Sequence, residues 1–249
     1  AASDVYKRQL LSFARMLLEQ ADNMKEHFGN GERRTPKFSV SCQHYSFAVN
    51  AFVDLIKEYD AEQYSFIIRE TQTGEIIEDV ASGKSEIGVL YLSEHNEDVI
   101  LKLIKNNQLK FEEMFVAEPH VFICKDHPLA EKEMISMEDL RSYPYLVYEQ
   151  GNNNSFYFAE EVLSTYNYKQ LIKANDRATL LNLMVGLNGY TLCSGIICEE
   201  LNGSDYCAVR LKSDEIMTIG YLSRKGAAIS SLGQKYIEEL SLYKDKALR

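Results

Sequence analysis

The sequence predicts an α/β fold, and three observations carry the prediction. From Pro36 onward, apolar residues switch repeatedly between the alternation of a half-buried strand and the three-to-four-residue recurrence of an amphipathic helix. The segments are short and separated by polar turns, as expected when strands and helices take turns along the chain. The 249 residues, 45% of them hydrophobic and 26% charged, suffice for one large domain or two lobes of ordinary size. Such alternation implies mostly parallel β/α units, with sites at the carboxyl ends of the strands.

Each element follows from its pattern. Residues 10–28 read as an amphipathic helix, with Leu10, Phe13, Ala14, Leu17, Leu18, Ala21 and Met24 on one stripe, stopped by Gly29-Asn30-Gly31. A lone helix on a Gly-rich hinge must bury its stripe against something, and a second copy of itself is one candidate. Strands are then expected at 38–43, 65–71, 86–92 and 111–117, interleaved with helices at 46–58, 75–81 and 97–106. A second series begins near Pro119. It comprises strands at 120–125, 145–148, 170–174, 190–193 and 207–211, a helical turn at 136–141, and helices at 156–166 and 177–187. A long strand at 216–224 and a helix at 230–243 close the chain, and the tail from Lys244 reads as solvated. No internal repeat or low-complexity segment is visible.

Charge and composition exclude several classes. A net charge of -10 and a pI of about 5.1 leave only Arg33-Arg34 and Arg224-Lys225 as compact basic spots, a poor match for DNA phosphates. The longest apolar runs, around Val89–Leu92 and Gly195–Cys198, fall far short of the roughly 20 residues a membrane span needs. Residues 1–9 contain no apolar signal core. The sixteen tyrosines, Tyr143, Tyr145 and Tyr148 among them, suit strand packing better than base stacking.

Catalytic and metal signals are equally thin. The five cysteines (Cys42, Cys124, Cys193, Cys198 and Cys207) lack CxxC spacing and read as free thiols of a reducing cytoplasm. Cys42 and His44 share a loop before a helix, but no third orienting group accompanies them, so no catalytic residue is assigned. The five histidines are scattered without metal-ligand spacing, giving no metal site and no cofactor. Gly74 and Gly83 read as turn glycines rather than parts of a phosphate loop.

From Leu10 onward the order of elements resembles the LysR-type transcriptional regulators, and several local signatures match. Leu10-Leu-Ser-Phe-Ala-Arg-Met-Leu-Leu-Glu19 is similar to the end of their linker helix. Phe38-Ser-Val-Ser with the helix after it resembles their first strand and helix. Gly74-Glu-Ile-Ile-Glu-Asp-Val-Ala-Ser-Gly83 followed by Glu86-Ile-Gly-Val resembles a further segment, although the family usually has Asp at Glu86. The sharpest match is Asp126-His127-Pro128-Leu129-Ala130, followed by Val185-Gly186-Leu187-Asn188-Gly189-Tyr190. Residues 1–9 resemble the translation of a transposon-based sequencing adapter and are expected to be a scar, a native helix start being the other reading.

The resemblance implies a two-lobed, periplasmic-binding-protein-like (type II) fold with an N-terminal linker helix. Residues 10–35 would be linker helix and hinge, 36–117 with 217–249 lobe I, and 118–216 lobe II. It further implies an effector-sensing domain that binds a small molecule between the lobes to control transcription. The protein would be cytoplasmic, a homodimer or tetramer without membrane contact, reaching DNA only through a missing winged helix-turn-helix. A dimer would pair the 46–58 helix with a partner's 177–187 helix.

A ligand in such a cleft sits where strand ends meet helix N-termini. That places Ser41, Cys42, Gln43, Thr71, Gln72, Thr73, Tyr148, Gln150, Asn152 and Asn175 as ligand-binding candidates. Ordinary helix capping by Ser46, Thr73, Ser155 and Asp176 is the competing reading. Glu149 and Asp176 would repel an anion if they point inward, which leaves the ligand's charge open. The alternative functions are a transporter's solute-binding protein on the same fold and a cyclohexadienyl-dehydratase-like enzyme, which would need an acid/base pair in the cleft.

Overall fold

The computed structural model describes residues 35–59, 62–153 and 155–244, together with positions 6, 7, 10, 14, 17, 18 and 21, the side chains of 200 and 202 excepted. The expected scar, linker helix, hinge and solvated tail lie wholly or largely outside the described residues. Within the expected linker helix, the described positions 10, 14, 17, 18 and 21 are helical, and Leu10, Leu17 and Leu18 are exposed.

The first half of the chain alternates strand and helix strictly: β1 (Lys37–Cys42), α1 (Ser46–Glu58), β2 (Ser65–Glu70), α2 (Thr73–Ala81), β3 (Ile87–Leu92), α3 (Glu97–Asn106) and β4 (Leu109–Ala117). The chain then builds β5 (His120–Cys124), β6 (Met134–Ile135), β7 (Tyr145–Tyr148), β8 (Leu171–Ala174), α4 (Arg177–Leu187), β9 (Thr191–Cys193), α5 (Glu199–Asn202) and β10 (Tyr206–Leu211). It returns through β11 (Met217–Arg224) and ends on α6 (Ser231–Ser241).

The first sheet has five strands in the order β2-β1-β3-β11-β4. β1 runs parallel to β2 and β3, whereas β11 is antiparallel to both of its neighbours. A four-stranded sheet, β6-β10-β5-β9, and the parallel pair β7-β8 make up the other half. The expected predominance of parallel pairs is therefore corrected. β5 and β11 follow the two crossings between the halves, at 117–120 and 211–217, and each enters its sheet against the direction of its neighbours.

Helices cover both faces of the first sheet. Alternation along β1 sends Phe38, Val40 and Cys42 toward α1 and α6, where the Phe38 ring packs on Phe52 and Tyr236. Tyr236 donates its hydroxyl to the Ala48 carbonyl at 3.0 Å, pinning α6 onto α1. Ile76, Val80, Leu90, Ile100 and Leu222 form a second cluster under α2 and α3 on the opposite face. Each fully buried side chain of this size contributes about 1.5–3 kcal/mol. β3, central and buried along its whole length, reads as a continuous apolar run for this reason.

Glu86, where the resembling family has Asp, accepts bonds from the Ser230 amide at 2.6 Å and hydroxyl at 2.9 Å, fixing the start of α6. Two of the sequence signatures also meet. His127 Nδ1 accepts from the Leu129 amide at 3.1 Å, so Nε2 carries the hydrogen and donates to the Asn188 carbonyl at 3.1 Å. Asn188 is the left-handed residue (φ 49°) that ends α4.

One expected helix is absent. Residues 156–166 form only a 3-10 turn at Phe156–Phe158, and Leu163 takes a left-handed φ of 56°. Glu160 and Glu161, which a helix would place near solvent, turn inward and are buried.

His127 also sets a test. Burial pushes its imidazole below the ordinary value, so the folded chain refuses a proton that the unfolded chain takes up. The stability this neutral form confers is complete above about pH 6.5 and falls as the pH drops below it. His127→Leu leaves the Leu129 amide and Asn188 carbonyl unpaired and is expected to cost about 1–3 kcal/mol at neutral pH. Urea denaturation should show the gap to wild type narrowing toward about pH 5.

Candidate functional site

The carboxyl ends of β1 and β2 and the N-termini of α1 and α2 face the end of β7 and the start of α4 across a cleft. A chain of side-chain hydrogen bonds crosses it. Gln43 accepts from the Tyr91 amide at 3.0 Å and donates to Thr73 Oγ1 at 2.7 Å. The Thr73 amide donates to Gln150 Oε1 at 3.0 Å, and Gln150 Nε2 donates to Glu160 Oε1 at 3.0 Å. The other Glu160 oxygen receives the His44 amide at 2.8 Å and His44 Nδ1 at 2.9 Å. A carboxylate contributed by one half thus lies at the N-terminal end of α1 in the other, where free amides and the helix dipole favour negative charge.

Further contacts flank this chain. The His44 imidazole lies flat on the Tyr148 ring, with centroids 3.7 Å apart and planes within 5°. Arg177, the first residue of α4, holds Glu70 at the end of β2 in a two-pronged ion pair. Gly74 is a residue of α2 rather than a turn, and a Cβ there would stand 2.2 Å from Asn153 Nδ2, so the missing side chain admits the facing loop. Gly83 is left-handed (φ 72°), as a turn glycine should be.

Beside this chain of hydrogen bonds, here called the latch, lies a solvent-open pocket. Tyr45, Tyr148 and Glu161 form part of its wall, and Phe122, Thr191 and Ile196 line the side toward β5 and β9. Glu161 accepts the Tyr148 amide at 2.9 Å. Burial, reinforced by the charge of Glu160, pushes its carboxyl well above the usual range.

The ten sequence candidates divide by position. Gln43, Thr73 and Gln150 belong to the latch, and Tyr148 lines the pocket. Gln72 sits against Gly151, and Thr71 bonds the neighbouring Glu75. Ser41 points to the opposite sheet face, where it bonds Asp79 at 2.7 Å and Ser85 at 2.8 Å. Cys42 is buried in the core, which pushes its thiol up and away from a reactive thiolate. Asn152 and Asn175 are exposed. Of the four residues given a capping alternative, only Asp176 caps an α-helix, accepting from the Thr179 amide at 2.8 Å. Tyr45 and Gln72 occupy the cap positions of α1 and α2, and Ser155 makes no side-chain cap.

Sequence reasoning did not select His44, Glu70, Glu160, Glu161 or Arg177. The Glu160-Glu161 pair looked like the polar face of a helix, and only its apolar flanks, Ala159 and Val162, hinted at burial. Among the described residues, no group of three or more His, Cys, Asp or Glu could hold a metal, and no helix is long and apolar enough to cross a membrane.

A raised folded-state pKa means that the neutral Glu161 carboxyl is favoured by folding. Its contribution is complete below about pH 4.3 and is lost as the pH rises. Glu161→Gln keeps an oxygen for the Tyr148 amide and no charge. Thermal melts are expected to show a higher Tm than wild type at about pH 8, with the gain shrinking toward about pH 5.

Comparison with known proteins agrees with this architecture. The chain is 24% identical over 172 residues to the malolactic fermentation system transcriptional activator of Lactococcus lactis subsp. lactis (strain IL1403), spanning 66% of this chain but only 58% of that protein. A full-length OxyR variant from Pseudomonas aeruginosa superposes with a TM-score of 0.64 at 15% identity, covering 94% of this chain and 77% of that one. HinK, a LysR family regulator of the same organism, gives a TM-score of 0.56 at 16% identity over 98% of this chain and 80% of its own. The effector binding domain of QuiR in complex with shikimate gives 0.55 at 15% identity, covering 86% and 99%. These likenesses establish the two-lobed, type II periplasmic-binding-protein-like fold of LysR regulatory domains. The family model for the LysR substrate binding domain matches residues 44–241, and the chain belongs to that family.

Proposed function

We propose that the chain is the effector-sensing part of a DNA-binding transcriptional regulator, and that a small molecule bound between its lobes sets their closure. The observation that carries this reading is the latch. The chain of polar side chains passes between the lobes at the Thr73 amide on Gln150, a bond worth about 0.5–1.5 kcal/mol net, and at His44 on Glu160, where bonds to a charged group are worth about 1.5–3 kcal/mol. Each lobe is meanwhile built around buried apolar residues. A ligand with differential contacts of a few kcal/mol can therefore shift the balance between closed and open lobes. The domain of a relative, QuiR, holds shikimate, which supports a small-molecule occupant.

In the complete protein, DNA contact would come from a winged helix-turn-helix outside this sequence, since its acidic charge offers little to phosphates. The division into lobe I (36–117 and 217–249) and lobe II (118–216) belongs to the same proposal. So do a non-catalytic role, a cytoplasmic location and a homodimer or tetramer pairing α1 with a partner's α4. Val185 and Leu187, at 56% and 46% exposure on α4, supply an apolar surface for that contact.

Two measurements test the reading. In a full-length form, Gln150→Ala should change how ligand alters operator occupancy while leaving ligand-free DNA affinity within about threefold. Occupancy that ignores the ligand state of the wild-type protein sinks the proposal. Val185→Glu places a charge in the pairing surface and should move the particle toward monomer in sedimentation.

A further inference from the structure

Two buried hydroxyls on the pocket wall point to what it holds. Tyr45 Oη and Thr191 Oγ1 have no hydrogen-bond partner, and their residues are only 7% and 6% exposed. Buried hydroxyls are normally paired, because leaving one unsatisfied costs about 1–3 kcal/mol. Both residues line the same pocket, which also contains Glu160 and Glu161. Tyr45 is packed in the apolar cluster and lines the pocket at its edge, and burial pushes its hydroxyl pKa up.

The charge balance around the pocket is uneven. Two buried carboxyl groups, Glu160 and Glu161, share the wall with one guanidinium, and Arg177 is already committed to Glu70 outside it. His44 is committed to Glu160 and stacked on Tyr148. Glu161 accepts the Tyr148 amide, a neutral donor. Phe122, Leu192, Ile196 and Ile197 supply apolar wall, with Ser46, Cys193 and Ser194 also lining the pocket. Carboxyl and hydroxyl oxygens that can accept, beside the face of an aromatic ring, suit an ammonium group on an apolar body. They oppose a carboxylate, which would meet Glu160 and Glu161 at close range.

We infer that this pocket takes a small amine, its ammonium bound by Glu161 and the Tyr45 and Thr191 hydroxyls and its aliphatic or aromatic body against Phe122 and Ile196. The inference rests on the effector-sensing reading and gives that effector a chemical class. It also distinguishes two roles for adjacent carboxylates. Glu160 closes the latch, and Glu161, which burial holds toward its neutral form, gives up its proton to become the counter-ion of a bound ammonium.

Calorimetric titration of the chain with three probes of matched shape tests it: phenethylamine, 2-phenylethanol and 3-phenylpropionate. Phenethylamine is expected to bind at least about tenfold more tightly than the alcohol, the ratio one charge-assisted hydrogen bond supplies. The propionate is expected to give no heat. Glu161→Gln should weaken phenethylamine about tenfold or more. Tyr45→Phe, which keeps the ring and the fold, should weaken it measurably with an unchanged circular-dichroism spectrum. Binding of the propionate as tight as the amine, an amine affinity indifferent to both substitutions, or no amine binding at millimolar concentration overturns the inference. An anion that binds instead through His44 and Gln150 would do so while leaving the sensor reading intact. DNA occupancy insensitive to every ligand would overturn that reading itself.

Discussion

The arrangement of the cleft depends on one carboxylate, that of Glu160. It is carried by lobe II and buried at the N-terminal end of a lobe I helix, where it accepts the His44 amide, the His44 ring nitrogen and the Gln150 amide. Burying a carboxylate is tolerable only when donors replace its water, and three donors plus a helix dipole do so here. Removing any one of them leaves charge or polarity stranded, so the groups that converge on Glu160 are fixed together. The chain past the Phe156–Phe158 turn is not helical, and it brings Glu160 to the N-terminal end of α1. A helical segment 156–166 would carry Glu160 away from α1 and strand the amides it now satisfies.

This division of forces suits a sensor. Within lobe I the packing is apolar and two-sided, with α1 and α6 on one face and α2 and α3 on the other. Packed cores of this kind resist deformation. At the cleft the contacts between the lobes are hydrogen bonds, one ion pair and ring stacks such as His44 on Tyr148 and His95 on Tyr157, while beneath it the apolar cluster continues from Phe115 and Met217 to Val121 and Ile196. Among the described residues the chain passes from one sheet to the other at 117–120 and returns at 211–217, next to strands fixed firmly in their sheets. Polar contact at the cleft, beside two short connections, is where such a pair of bodies can hinge. The chemistry of the cleft therefore governs the position of the lobes more than it governs their folding.

Much of the fold was legible because periodicity reports burial. The spans of α1, α3 and α4 and of β7 follow directly from apolar spacing. The sequence signatures also have physical content. His127 and Asn188, from the two sharpest signatures, are joined by one hydrogen bond across 61 residues. What periodicity does not carry is the direction of a polar side chain. Ser41 and Gln43 lie two apart at the end of one strand, yet Ser41 serves the α2 face and Gln43 reaches into the cleft past the strand's last residue. Glu160 and Glu161 were hidden for a related reason. Adjacent carboxylates are read as solvent-facing unless their partners are known, and those partners come from elements about 116 and 13 residues away.

The tethered carboxylate also alters what the cleft can recognise. In folds of this architecture a helix N-terminus at a strand end is a ready site for anions. In this chain an anion already occupies it, and that anion is part of the protein. A free carboxylate competing for the α1 amides would face a group held nearby at an effective concentration in the millimolar range, with no translational entropy left to lose. It would also have to displace Glu160 from the donors that replace its water, leaving a buried carboxylate unpaired. A ligand that leaves Glu160 in place avoids both costs and retains the latch, so binding and closure reinforce each other. The general preference of the fold for anions is thus satisfied internally, and the remaining polar groups of the pocket, acceptors beside aromatic faces, select for the opposite sign.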